Sequence, residues 1–140
     1  GRVFLAEHSS EVTKEIKKDL KKINDIIENI DSSIISIKEL ILLSKLNPRR
    51  TNELVFLLID NKSLLRINND IIMNVNAFNK MLSLIRKYFI DNKKMSISNF
   101  KTLSNLTRKN AIPILEYLDN NQFTRRDGSN RIAGEVLYVE

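Results

Sequence analysis

"SIISIKELILLSKLNPRRTNELVFLLIDNKSLLRINNDIIMNV", residues Ser33 to Val75, holds the pattern that decides the fold. At its centre is Asn47-Pro48. An asparagine side chain can accept from the first free N–H groups of a helix, and proline suits the first helical position because no bond is lost there. The pair therefore predicts the start of a helix that buries Leu54, Leu57 and Leu58. Upstream, Ser36 and Glu39 have the spacing of a capping box and open a shorter helix with Leu40 and Leu43 on its inner face. Downstream, "SLLRI" and "DIIMNV" flank Asn68-Asn69 and read as the two strands of a hairpin.

Further upstream, Val12, Ile16, Leu20, Ile23 and Ile27 recur every three or four residues, which predicts an amphipathic helix over residues 10–30. The lysines from Lys14 to Lys22 read as its solvated face. Further downstream the order returns. Asn76 is expected to open a helix carrying Phe78, Leu82, Ile85 and Phe89. In "MSISNFKTLSNL", Ile97, Phe100, Leu103 and Leu106 match Ile37, Leu40, Leu43 and Leu46 at a constant offset of 60. Ile114, Tyr117 and Leu118 answer Leu54, Leu57 and Leu58. After one residue of slippage, "DNKSLLRIN" (Asp60 to Asn68) aligns with "DNNQFTRRD" (Asp119 to Asp127).

Two copies of helix, short strand, helix, helix, hairpin thus follow one another, an internal repeat that sets the domain plan. The expected fold is mainly α with small β-hairpin wings: tandem winged-helix, or helix-turn-helix, modules over residues 1–75 and 76–140. The boundary falls at Val75-Asn76, without a flexible linker, since nothing rich in Gly or Ser lies there.

Composition excludes several function classes. The chain has 140 residues, 42% of them hydrophobic, no cysteine and a net charge of +6. Its longest apolar runs, such as "LVFLLI" (Leu54 to Ile59), fall far short of the roughly 20 residues that span a bilayer, so no membrane is expected. Disulfides and cysteine-ligated metals are out. The first residues lack a signal peptide, and the chain opens on Gly1 rather than Met, which suggests a piece of a longer, cytoplasmic protein. His8 is the one histidine and reads as a surface or cap residue. Phosphate-binding glycine loops are absent. No enzyme activity, metal or cofactor is expected.

The remaining candidate chemistry is polyanion binding, concentrated in the second module. Thr107 is a plausible N-cap, which would place Arg108 and Lys109 in the first turn of the presented helix. Cations are unfavourable beside the partial positive charge of a helix start unless an anion docks there too. Pro113 leaves two starts open: Thr107 as cap, with a kink further on, or Asn110 as cap, with Pro113 in the first turn. Arg49 and Arg50 repeat the arrangement in the first module. In "FTRRDGSNR" the Asp127-Gly128 dipeptide predicts a tight turn, and Arg125, Arg126 and Arg131 crowd one small hairpin. Guanidiniums favour phosphate, guanine-edge and stacking contacts. Glu116, in the middle of the helix, would repel a phosphate backbone, so contact by helix tip and wing is expected rather than a helix laid in a groove.

"ISNFKTLSNLTRKNAIPILEYLDNNQFTRRDGSNRI" resembles the last winged-helix module of bacterial selenocysteine-specific elongation factors. The likeness lies in the helix from Phe100 to Leu106, in "TRK-x-AIP-x-LEYLD" (Thr107 to Asp119) and in the "FTRR-x-G" wing (Phe123 to Gly128). "RVFLAEH" (Arg2 to His8) is similar to the opening of the family's penultimate module. The resemblance implies an RNA-binding function: the last module grips the apical loop of the selenocysteine insertion hairpin of mRNA, while a GTPase part absent here delivers selenocysteyl-tRNA to the ribosome. It places the hairpin against Arg108, Lys109, Arg125, Arg126 and Gly128; geometry adds Arg131. "LLRINND" (Leu64 to Asp70) departs from the arginine-rich wing, which argues against the first module as the hairpin reader. The expected partners are the mRNA hairpin and, as a further candidate, the ribosome, with the chain monomeric. The alternatives are a DNA-binding winged-helix transcription regulator, which would prefer duplex operators, and a protein-interaction winged helix that binds no nucleic acid.

Overall fold

The computed structural model describes residues 9–139. "RVFLAEH" and His8 lie outside the described residues, as does the side chain of Val12. Within them the order is α1 (Ser9–Glu28), a 3₁₀ turn (Asp31–Ser33), β1 (Ile34–Ser36), α2 (Ile37–Ser44), α3 (Pro48–Asp60), β2 (Leu64–Arg66), β3 (Ile71–Asn74), α4 (Val75–Asp91), α5 (Ile97–Ser104), α6 (Arg108–Asn120), β4 (Thr124–Asp127) and β5 (Asn130–Ala133).

Local chemistry sets these boundaries. Asn47 Oδ1 accepts from Arg50 N at 2.7 Å, with Pro48 in the first turn, as its sequence position predicts. Ser36 accepts from Glu39 N, but the expected Glu39 half of that box is not among the bonds; the complete reciprocal box forms at Ser96 and Asn99 instead. Removing it with Ser96→Ala is expected to cost about 1 kcal/mol in urea unfolding. α4 begins before Asn76. Asn74, the last residue of β3, accepts from Ala77 N, so the strand passes into the helix with no intervening residue.

The repeat is more regular than the sequence alignment suggests. α2 and α5, and likewise α3 and α6, correspond at an offset of 60. So do the left-handed residues that end them, Lys45 with Asn105 and Lys62 with Gln122. The offset survives into the strands, and the expected slip after the third helix is not there. One residue is lost in the wing turn instead: Leu64 pairs with Asn74, but Thr124 pairs with Ala133.

β1, β3 and β2 form an antiparallel three-stranded sheet in that order; β4 and β5 form a two-stranded wing. The counterpart of β1 in the second half shrinks to one bridge, Met95 with Arg131, closed by two backbone hydrogen bonds of 2.8 Å. One buried cluster gathers Ile23, Ile27, Leu40, Leu54, Val55, Leu58 and the inner sheet residues Ile35 and Ile72. The other is built on Phe78, Ile85, Met95, Phe100, Ile114, Leu115 and Leu118, and it also takes Ile34 and Met73 from the first sheet. The two repeats therefore share apolar surface. Leu43 and Leu57, expected inside, are 48% and 41% exposed. Val55 and Thr51 take the inner face of α3, with Thr51 Oγ1 3.3 Å from Ser44 Oγ. The reason is tertiary: the counterpart of Leu57, Tyr117, packs edge-on to Phe78 at 5.5 Å. That burial pushes the Tyr117 phenol pKa up, so the ring stays neutral.

Candidate nucleic-acid interface

Charge is distributed unevenly between the two repeats. Residues 76–140 carry eleven Lys and Arg against six Asp and Glu, whereas residues 1–75 carry twelve against eleven. Almost all of the net +6 belongs to the second half.

Thr107 is the residue that precedes α6, with extended backbone and no side-chain cap bond, and the helix runs unbroken across Pro113. This resolves the choice left open by the sequence: Arg108, Lys109 and Asn110 form the first turn. Pro113 has no N–H for the Lys109 carbonyl, which lies on an exposed turn. Arg108 and Lys109 are exposed, and no carboxylate within 4 Å pairs with either among the described residues. The first repeat differs. Arg50 donates through Nε (3.2 Å) and Nη2 (3.0 Å) to Asp19 Oδ2, tying α3 to α1, and Arg49 pairs with Glu53 at 3.6 Å. The expectation that Arg49 and Arg50 together form a second free anion site is corrected at Arg50, while Arg49 stays exposed.

The wing sorts its arginines by strand alternation, since successive residues point to opposite faces. Arg125 faces out, 60% exposed, with a 3.5 Å contact to Glu135. Arg126 is exposed near the tip, and its Nε donates to the Gly128 carbonyl at 3.3 Å. Asp127 pairs with Lys94 at 3.3 Å. The turn itself is Gly128-Ser129, one residue later than the Asp127-Gly128 reading, since Asp127 still pairs with Asn130. Gly128 has φ 63°, and a Cβ added there would meet nothing within 4 Å. Gly128→Ala is thus expected to cost about 1 kcal/mol of backbone strain alone, read by urea unfolding.

Arg131 does not join the exposed set. Its side chain is 4% exposed, with Nη2 2.9 Å and Nε 3.3 Å from Asp119 Oδ2; Asp119 Oδ1 accepts from Thr124 Oγ1 at 2.6 Å. Its backbone bridges to Met95. This buried pair locks the end of α6 to the base of the wing. The correction has a simple cause: Arg131 lies across from Arg126 on the core-facing row, which in the first repeat carries Ile72. Sequence reasoning missed Asp119 and Thr124 as its partners, and Lys94 as a neighbour of the wing tip.

The structure thus offers two exposed cationic groups on one repeat, Arg108 and Lys109 at the tip of α6 and Arg125 and Arg126 in the wing beside Gly128. Among the described residues, no group of acids and histidines could hold a metal, and no helix is long and apolar enough to cross a membrane.

Known proteins fit this architecture. Residues 87–133 match the family model described as "Elongation factor SelB, winged helix". A selenocysteine-specific elongation factor from Desulfomicrobium baculatum is 35% identical over 75 residues, 54% of this chain. The chain spans 12% of that relative's length. Among solved structures, a bacterial selenocysteine-specific elongation factor, EF-Sec, superposes with TM-score 0.69 at 27% identity, over 87% of this chain and 19% of that one. The mRNA-binding domain of SelB from E. coli, solved in complex with SECIS RNA, superposes with TM-score 0.70 at 19% identity, over 84% of this chain and 98% of that one, a likeness of fold. Together these likenesses support a C-terminal winged-helix region of SelB, with residues 87–133 matching the family model directly.

Proposed function

We propose that the chain binds the selenocysteine insertion hairpin of an mRNA through its second repeat, as the RNA-reading part of a cytoplasmic selenocysteine-specific elongation factor. One observation carries this reading: the second repeat holds nearly all the net charge and displays Arg108, Lys109, Arg125 and Arg126 on solvent, whereas Arg50 of the first repeat is tied to Asp19 in a part-buried pair. The E. coli domain of the same fold, solved with SECIS RNA, supports it. In this reading residues 1–75 and 76–140 are separate winged-helix modules, and Arg108, Lys109, Arg125, Arg126 and Gly128 contact RNA. Arg131 serves as internal support. The chain acts as a monomer, with the ribosome as a further partner.

An extruded loop nucleotide suits these features. Guanidiniums can take phosphates or stack on splayed bases, and the bare Cα of Gly128 admits close backbone approach. The DNA-regulator alternative is disfavoured because the exposed Glu116 lies in the middle of α6, where a helix seated in a major groove would meet phosphates. The test is a salt titration of binding to the insertion hairpin and to a DNA duplex of equal length. Hairpin binding tighter by about 10³ or more at physiological salt is expected. Equal and equally salt-sensitive binding to both would reduce the site to a nonspecific basic surface.

A further inference from the structure

The repeat offers an internal comparison of what each sheet face does. In the first repeat, Ile34, Met73 and Leu65 lie in one row across β1, β3 and β2. Ile34 and Met73 are buried in the cluster built by α4 to α6, and Leu65 packs against it. This row carries the second repeat. At the offset of 60, Ile34 corresponds to Lys94 and Leu65 to Arg125. The Met95–Arg131 bridge sets Lys94 across from Ile132, and Ile132 pairs with Arg125. The same row in the second repeat is therefore Lys94, Ile132, Arg125: two cations flanking a half-buried isoleucine.

We infer that Lys94 is a further RNA contact, forming with Arg125 and Ile132 a row on the wing that takes the sugar–phosphate backbone beside the bound loop. This inference rests on the proposed hairpin function and extends its site. Lys94 and Arg125 are 61% and 60% exposed, and their contacts to Asp127 (3.3 Å) and Glu135 (3.5 Å) are solvent-exposed pairs that hold a cation only weakly. Lys94 is also fixed in place. Tyr88 Oη donates to its carbonyl at 2.8 Å, and the next residue, Met95, is fully buried and bridged to the wing. A position that is apolar and covered in one repeat is a cation on solvent in the other, against a local excess of positive charge. Phosphate is the ligand that such a replacement suits, and Ile132 offers a ribose an apolar face.

The test compares Lys94→Ala with Lys93→Ala, which removes the same charge from the adjacent exposed residue, and with the Arg125→Ala/Arg126→Ala double variant. Each full chain is titrated with the insertion hairpin across a salt series and checked by circular dichroism. Lys94→Ala is expected to weaken binding about three- to tenfold and to lower the salt slope by about 0.7, one phosphate contact to single-stranded RNA. The loss should be the same for hairpins with altered loop bases. Lys93→Ala should change neither quantity appreciably. Equal effects of the two lysine variants, no effect of Lys94→Ala, or a loss confined to one loop sequence would overturn the inference. The double variant separates the two levels: if it abolishes binding while Lys94→Ala leaves affinity and salt slope unchanged, the hairpin function stands and only the Lys94 contact falls. If neither variant matters, both fall.

Discussion

Changing Arg125 and Arg126 together to alanine is expected to weaken hairpin binding roughly a hundredfold or more near 0.1 M salt. Each arginine that makes a bidentate contact to a base edge contributes about 1–3 kcal/mol of discrimination, and each phosphate contact also enters the salt slope. Stability should hardly move, by no more than about 0.5 kcal/mol. The Arg125–Glu135 contact is long and exposed, and Arg126 gives one 3.3 Å bond to the turn. Binding and stability are thus separable in this variant. Affinity retained in a folded double variant would remove the wing from the site.

The largest effect on stability is expected from Asp119→Ala. That change strands the Arg131 guanidinium, which is 4% exposed and has its two bonds to Asp119 Oδ2, and it also deprives Thr124 Oγ1 of its acceptor. Removing one member of a buried pair typically costs about 3–5 kcal/mol because the other charge stays buried and uncompensated. A repeat of this size has little stability to lose, so thermal unfolding of the second repeat should shift down strongly or lose cooperativity. Replacing both members with apolar residues, Asp119→Leu with Arg131→Met, should recover much of the loss, since a buried pair and well-packed apolar groups are often nearly equivalent. If Asp119→Ala melts like the parent chain, the pair is not the lock between α6 and the wing.

Particular residues show how far sequence reaches here. The helices and the wing were legible because their signals are local: Asn47-Pro48 at one helix start, apolar spacing along α4, and the short apolar run of "DIIMNV" beyond Asn68-Asn69. The repeat made them mutually consistent, and the structure tightened its offset to 60 through both helix pairs and their left-handed ends. What escaped depends on partners distant in sequence. Leu57 reads like any inner-face leucine until Phe78 is seen to cover only its counterpart, Tyr117. Arg50 looks like a free cation until Asp19, 31 residues earlier, reaches it. Arg131 looks like a third wing arginine until the strand register turns it inward beneath Asp119. Arg108, Lys109, Arg125 and Arg126 could be named in advance because exposed cations need no partner within the chain. Lys94 could not, because its place beside the wing depends on a one-residue bridge that leaves no periodic trace.

The most direct test of the central reading is a nuclear magnetic resonance titration of the isotopically labelled chain with the insertion hairpin, following backbone amides. Shifts concentrated at residues 107–110 and 124–131, with α1 and α3 left unmoved, are the predicted result. Shifts centred on the lysines of α1 or on Arg49 and Arg50, or no saturable shifts at all, would contradict hairpin recognition by the tip and wing of the second repeat.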